Sequence, residues 1–424
     1  MSTRPFLVRL APLLVLGLGL RLAYGLLLVK TQPLLGDGLE FHKLAYSLAD
    51  GNGYSQAPFY HPDQFLPSAD KPPLYPLVLA FFTLVGGHGW IPHQVAGALI
   101  GTGTVAAVGL LGRRVAGERV GLIAAGVAAV YPLLIATDGS FRSESLYALL
   151  IASTLLAAYR LHDRPLAASA AICGVLIGLA TLTRTEAIAL LPLLVAPVAA
   201  LVAGRARAIR LTLIATGAAL VVITPWVVRC WAQFDRPVFV STNSGGLLAG
   251  ANCEKTYHGE WLGQWRFDCL RPPRSTNEAV VSSQLAHDGL TYAREHAGRL
   301  SIVVPVRVLR TWGLYRPRQQ WTIERFFEGR DLRVEQAGVL LYYLLAGLAL
   351  AGAVRLRRRG QPLRILIAPA ILVTLVSAGA YGFTRFRVAA EPAIVVLAAV
   401  TLASPAARAR PRRPAPPPAA APQG

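Results

Sequence analysis

The sequence predicts an all-α polytopic membrane protein with about ten transmembrane helices, and three observations predict it. Of the 424 residues, 54% are hydrophobic and 15% charged; ordinary soluble domains carry about 25% charged residues, so a soluble enzyme is excluded. Apolar runs close to the roughly 20 residues needed to cross a bilayer core recur along the chain. The net charge of +20 falls largely in arginine clusters between those runs. Cytoplasmic loops collect such charge, so the membrane explains it and no nucleic acid is expected as a partner.

The runs cover approximately 6–29, 91–111, 120–136, 145–160, 166–182, 187–203, 211–229, 336–354, 365–382 and 388–404. The segment 74–87 is apolar but short for a span, and reads as interfacial or re-entrant. If it does not cross, one side receives nineteen arginines in tails and short loops. The short loops opposite hold four: Arg142, Arg184, Arg385 and Arg387. The positive-inside rule then puts both termini in the cytoplasm and the long segments 30–73 and 230–335 outside the plasma membrane. No small-residue cleavage site follows Val29, so the first run reads as a retained helix. Phe41, Leu44, Ala45 and Leu48 repeat at helical spacing, which predicts an amphipathic interfacial helix over 39–50, ended by Gly51-Asn52-Gly53. Residues 1–404 thus form one transmembrane domain, and 405–424, rich in Arg, Pro and Ala, a disordered cytoplasmic tail.

Ionisable residues gather at the outer membrane edge. Asp37 precedes Glu40 by three residues, a capping-box spacing for the surface helix; its alternative role is a general base at the water–lipid boundary. Asp138, Arg142 and Glu144 share the turn between spans three and four, as a solvated cap or as substrate or metal ligands. Glu144 stands at the mouth of a span, where a carboxylate is costly unless something uses it. Arg184 and Glu186 pose the same question between spans five and six, where they can pair with each other. Prolines fix Lys71 at headgroup height, where it can meet a phosphate or simply snorkel. Arg385 and Arg387 break the positive-inside pattern and suit a lipid phosphate. Arg21 lies inside the first span, to snorkel or to function.

Three of the four cysteines fall in 230–335. Cys253 with Cys269 is the expected disulfide there, both lying in one polar, aromatic-rich stretch; whether they bond is open at this stage. Trp312 and Trp321 read as an interfacial belt, while Trp261 and Trp265 stay open between belt and sugar stacking.

Gly36-Asp37, Gly51-Asn52-Gly53-Tyr54, Lys71-Pro72-Pro73-Leu74-Tyr75-Pro76, Ser143-Glu144, Leu182-Thr183-Arg184, Thr224-Pro225-Trp226 and Arg385-Phe386-Arg387 before Glu391-Pro392 follow one another along the chain. In that order they resemble the GT-C superfamily of polytopic glycosyltransferases. The likeness is nearest to the bacterial branch related to protein O-mannosyltransferases and lipid A aminoarabinose transferases (glycosyltransferase family 39-like), and it covers most of 6–404. It implies a GT-C-like bundle that moves a sugar from a polyprenyl-phosphate donor to a glycan, lipid or protein acceptor on the outer side, usually with inversion. Carried over, Asp37 is the catalytic base and Lys71 meets the carrier phosphate. Family members often place a second acid directly after the first; here Gly38 stands there and Glu40 follows, so a second carboxylate and a divalent metal stay open. The competing class is a flippase or transporter of lipid-linked sugars. Its ionisable groups belong near mid-membrane, and their place at the outer rim favours an enzyme.

Overall fold

A computed structural model describes residues 4–29 and 36–403, and the tail expected over 405–424 lies outside them. Helix dominates. α1 (Arg4–Ala23) continues as a π-helical stretch, Tyr24–Val29. α2 (Asp37–Ala49) is the expected surface helix, starting two residues early, with Phe41, Leu44 and Ala45 buried. A two-residue antiparallel ladder, β1 (Ser55–Gln56) with β2 (Leu66–Pro67), leads to α3 (Leu74–Gly86). Then come α4 (Trp90–Ala116), α5 (Glu118–Val130), α6 (Pro132–Gly139), α7 (Glu144–Asp163), α8 (Ala167–Thr181), α9 (Ala196–Val202) and α10 (Arg205–Phe234). The segment 230–335 contributes α11 (Asn243–Ala251), α12 (Glu254–Tyr257), α13 (Glu278–Glu295), α14 (Leu300–Thr311) and α15 (Pro317–Glu328); α16 (Leu332–Arg358), α17 (Arg364–Gly379) and α18 (Glu391–Ala403) follow.

Among the described residues, six helices are long and apolar enough to cross a bilayer, the run Thr185–Val202 that ends in α9 among them. A seventh span arises if α5 and α6, bent by 54°, act together. α8, α17 and α18 are shorter apolar helices at three of the remaining expected spans, and α3 is the short segment set aside from them. The bend follows from Pro132, which cannot donate to the Ala128 carbonyl and so breaks the helix. Arg21 supplies the missing donor: its guanidinium bonds the Ala128 and Ala129 carbonyls, both at 3.2 Å, and Asp138 Oδ2 at 2.7 Å. The arginine does not snorkel; it is a buried staple between α1, α5 and α6.

α4 is the hub, packing on α1, α3, α5, α7 and α18. α18 is apolar all round and is accordingly buried on nearly every side. Gly101 lets α6 sit close on α4, for a Cβ there would fall 2.0 Å from Asp138 Oδ2. Outside the bundle α11 packs on α13, and a disulfide joins Cys253 to Cys269. That link closes the stretch carrying Trp261 and Trp265.

Candidate active site

Asp37 opens α2 because Gly36 turns into it at φ 56° and ψ −140°, a backbone conformation open to glycine alone. Gly36 is the N-cap and Asp37 the first residue of the helix. The capping-box expectation therefore fails, because Asp37 lies one position inside α2 and its carboxylate turns to the cations instead. Lys71 Nζ donates to Asp37 Oδ1 at 2.9 Å, while Arg142 and Arg385 donate to Oδ2 at 3.1 and 2.5 Å. These partners lie 34, 105 and 348 residues away in sequence. Lys71 also contacts Glu40 at 2.7 Å and Asp70 at 2.8 Å.

Electrostatics set each protonation state. Burial alone would raise the Asp37 pKa, but Lys71, Arg385 and Arg142 outweigh it and hold the carboxyl well below its ordinary range. Glu40 goes the other way, raised by burial and by Asp70 and Asp37 against the pull of Lys71. Burial would lower Lys71, yet its three carboxylates keep it charged, well above the usual lysine value. The Asp37 side chain keeps 29% of its surface open, so this charged knot can be reached from outside the protein.

The motifs read from the sequence turn out to be contacts around Lys71. Tyr54 Oη donates to the Lys71 carbonyl at 2.9 Å. Arg229 donates to the Ser68 carbonyl at 2.6 Å and to that of Tyr54 at 3.0 Å. Trp226 meets the Tyr54 ring edge-on at 4.8 Å, and Leu74 N bonds the Leu182 carbonyl at 2.9 Å. Arg142 is presented by a turn in which Phe141 adopts φ 52°, an unfavourable state for a bulky side chain. Packing against His42, Trp90 and His93 holds it there.

Arg184 donates to Glu144 and Glu186, both at 2.6 Å, and Arg385 Nε lies 3.7 Å from Glu144. Glu144 thus joins the rim through Arg385, and Arg184 stands one step behind it. Two expected residues lie elsewhere. Asp138 accepts from Arg21 and from Ser145 Oγ at 2.6 Å, away from the Asp37 cluster. Arg387 donates to Glu391 at 2.7 Å and lies over the Tyr342 ring, so it makes no contact with Asp37. Trp265 Nε1 bonds the Gly246 carbonyl at 2.9 Å and Trp261 lies under Arg266, while Trp312 and Trp321 pack against the core.

Sequence reasoning missed Asp70 and Glu278. Glu278, in the first turn of α13, accepts from Ser68 Oγ at 2.9 Å, Ala69 N at 2.5 Å and Thr242 Oγ1 at 2.9 Å, tying the Lys71 strap to the segment 230–335. Its only sequence signal is an acid ahead of Ala279-Val280-Val281. Among the described residues, no group of three or more His, Cys, Asp or Glu suits a metal ion. Asp37, Glu40 and Asp70 surround the Lys71 ammonium instead, so these side chains do not fit a divalent cation.

Residues 70–231 match the family described as dolichyl-phosphate-mannose-protein mannosyltransferase, a stretch that includes Lys71, Arg142, Glu144 and Arg184. No curated protein matches the chain significantly. The oligosaccharyltransferase AglB of Archaeoglobus fulgidus, in complex with an inhibitory peptide and a dolichol-phosphate, is 15% identical over 95% of this chain and 50% of its own, with a TM-score of 0.57. The apo oligosaccharyltransferase of that organism is 16% identical over 93% and 50%, with a TM-score of 0.56. ArnT from Cupriavidus metallidurans, bound to undecaprenyl phosphate, is 16% identical over 95% and 78%, with a TM-score of 0.46. The chain spans about half the length of the archaeal oligosaccharyltransferases. At these identities the likeness is one of fold.

Proposed function

This multi-pass membrane protein has the GT-C glycosyltransferase fold, and on that premise we propose that it moves a sugar from a polyprenyl-phosphate donor to an acceptor hydroxyl, with Asp37 as general base. One observation carries the reading: Lys71, Arg142 and Arg385 converge on a single solvent-reachable carboxylate. Three cations on one acid suit a phosphate that competes for them, and the dolichol-phosphate in the AglB complex is a group of that kind.

The chemistry is a single displacement. The acceptor oxygen bonds to the anomeric carbon as the carbon–oxygen bond to the phosphate breaks. The electron pair leaves on the phosphate, and the hydroxyl proton passes to Asp37, which inverts the anomeric centre. In its triple ion pair Asp37 is a weak base. A donor phosphate that draws off Lys71 and Arg385 raises its basicity at the moment the acceptor needs it. The arginine asymmetry supports a reading with both termini in the cytoplasm and this rim outside the plasma membrane, where a lipid-linked donor is at hand. The acceptor is a glycan, lipid or protein.

The test is transfer from radiolabelled polyprenyl-phosphate sugars by the purified protein in lipid, with Asp37→Asn beside the parent. Turnover by the parent and its loss in a folded variant support the reading. Failure with every donor, together with transbilayer movement of one, overturns it in favour of a flippase.

A further inference from the structure

A helix on a water-facing surface turns its charges outward and its apolar side chains inward. α15 buries Ile323 in that way, but Gln320, Glu324 and Glu328, spaced by four, are buried beside it. Gln264 donates to Gln320 at 2.8 Å and Gln320 to Glu324 at 3.1 Å. Arg330 pairs with Glu328 at 2.7 Å and with Glu335 at 3.0 Å. The exposed stripe holds no acid. It is Arg318, Thr322, Arg325 and Phe326, which share one helix face. Phe326 leaves 63% of its surface open, and Leu314, just ahead of the helix, 65%.

The place of α15 says what this face meets. The span α16 opens at Leu332, four residues after Glu328. That connection reaches about 14 Å at full stretch, so this end of α15 stays close to the mouth of the span, at headgroup depth. From Leu314 to Arg333 the fully exposed charges are all arginines: Arg316, Arg318, Arg325 and Arg333. Of the acids there, Glu324 and Glu328 are buried and Asp331 caps α16 through Arg333 N and Val334 N. A hollow of about 470 Å³ opens beside Arg316, Arg318 and Gln319, with Glu260 across it. Two guanidiniums against one carboxylate leave it positive.

We propose that the exposed face of α15 docks on anionic phospholipid at the mouth of α16, its arginines meeting the phosphates while Leu314 and Phe326 enter the acyl boundary. The combination of cations and apolar side chains on one exposed face is what an interfacial helix presents to a charged leaflet. The buried acids fit the same picture. Turned inward onto Arg330 and Gln320, they are kept away from lipid phosphates that would repel them. Arg316 at φ 47° and Gly329 at φ 62° turn the chain sharply at the two ends of α15. The helix is therefore a separate unit whose docking can be followed by itself, and the proposal stands independently of the transfer reading.

The experiment is amide hydrogen exchange on the full chain in bilayer discs of phosphatidylcholine alone, and of phosphatidylcholine with about 30% phosphatidylglycerol. With phosphatidylglycerol the α15 amides are expected to exchange about fivefold more slowly or better, while those of α13 keep their rate. Sodium chloride at about 0.5 M, which screens exposed charges, should remove the difference. So should Arg318→Gln with Arg325→Gln, two exposed positions whose replacement leaves the core intact. Equal exchange of α15 in the two lipids overturns the proposal in the parent alone. A difference that survives salt or the double variant also overturns it, because a second copy of the chain or hydrocarbon then covers the face. Slowing that extends equally to α13 overturns it as well, as a change in overall stability.

Discussion

Arg21–Asp138 and the Asp37 cluster join the same residue types at similar distances, 2.7 Å in one and 2.5–3.1 Å in the other. Their surroundings differ in two ways. In the first, one guanidinium meets one carboxylate, and the remaining donors and acceptor go to Gly17, Ala128, Ala129 and Ser145. Nothing is left over for a ligand. In the second, three cations share one carboxylate that remains open to the outside. Stoichiometry and access, rather than the presence of a buried-looking ion pair, separate a binding rim from a structural staple.

The largest test of that distinction is chemical. Asp37→Asn should cut the transfer rate by about 10²–10⁴, the range of a lost general base, in a variant that stays folded at a lower melting temperature, since the lowered pKa of the carboxyl is itself a stabilising contribution. Asp138→Ala should act on stability alone. Arg21 would be left buried without its counter-charge, at a cost of about 3–5 kcal/mol in stability, with turnover retained by whatever fraction stays folded. Replacing both partners, Arg21→Met with Asp138→Leu, should restore most of the melting temperature. If Asp138→Ala proved stable but inactive, the comparison would be reversed.

A smaller effect sharpens the rim itself. Arg385 donates Nη1 to Asp37 and Nη2 to Tyr381 Oη at 2.7 Å, using its fork in two directions. Arg385→Lys keeps the charge and loses the fork. Affinity for sugar-free polyprenyl phosphate, read by equilibrium binding, should fall by about tenfold. No change would mean that Lys71 and Arg142 hold the phosphate without it.

The same contrast explains what could be read from the sequence. Spans were legible because a bilayer demands about 20 apolar residues, a constraint that needs no knowledge of neighbours. Asp37, Lys71, Arg142 and Arg385 stood out because charge at an outer rim is conspicuous in an apolar chain. Asp138 stands out equally, but its pairing does not show in the sequence. Its partner Arg21 lies 117 residues away, and only the packing of α1 on α6 brings them together. Arg330 and Glu278 escaped notice because 230–335 is rich in polar residues, where a buried one carries no mark. Glu335, at the start of α16, had the same signal as Glu144 at the start of α7: a carboxylate at the mouth of a span. Glu391 is visible only as part of a motif, without its pairing with Arg387.

The mildest prediction concerns pH and sets Glu278 against Asp37. Burial, with Asp70 adding to it, raises Glu278 to about 7. Its three donors favour the charged form without offsetting the burial. Because its folded pKa is raised, the folded chain keeps a proton that the unfolded chain releases. The contribution to stability is complete below the ordinary glutamate value near 4.5 and is lost as pH rises through about 7. Between about pH 5 and pH 8 the parent's melting temperature should therefore fall by about 2–4 °C more than that of Glu278→Gln. Asp37 has the opposite shift, lowered by cations, so its contribution is already complete across this window and is lost only under strong acid. A pH slope in melting temperature that survives Glu278→Gln would have to come from another group. One that disappears would identify the strap beneath Lys71 as the part of the site that titrates near neutrality.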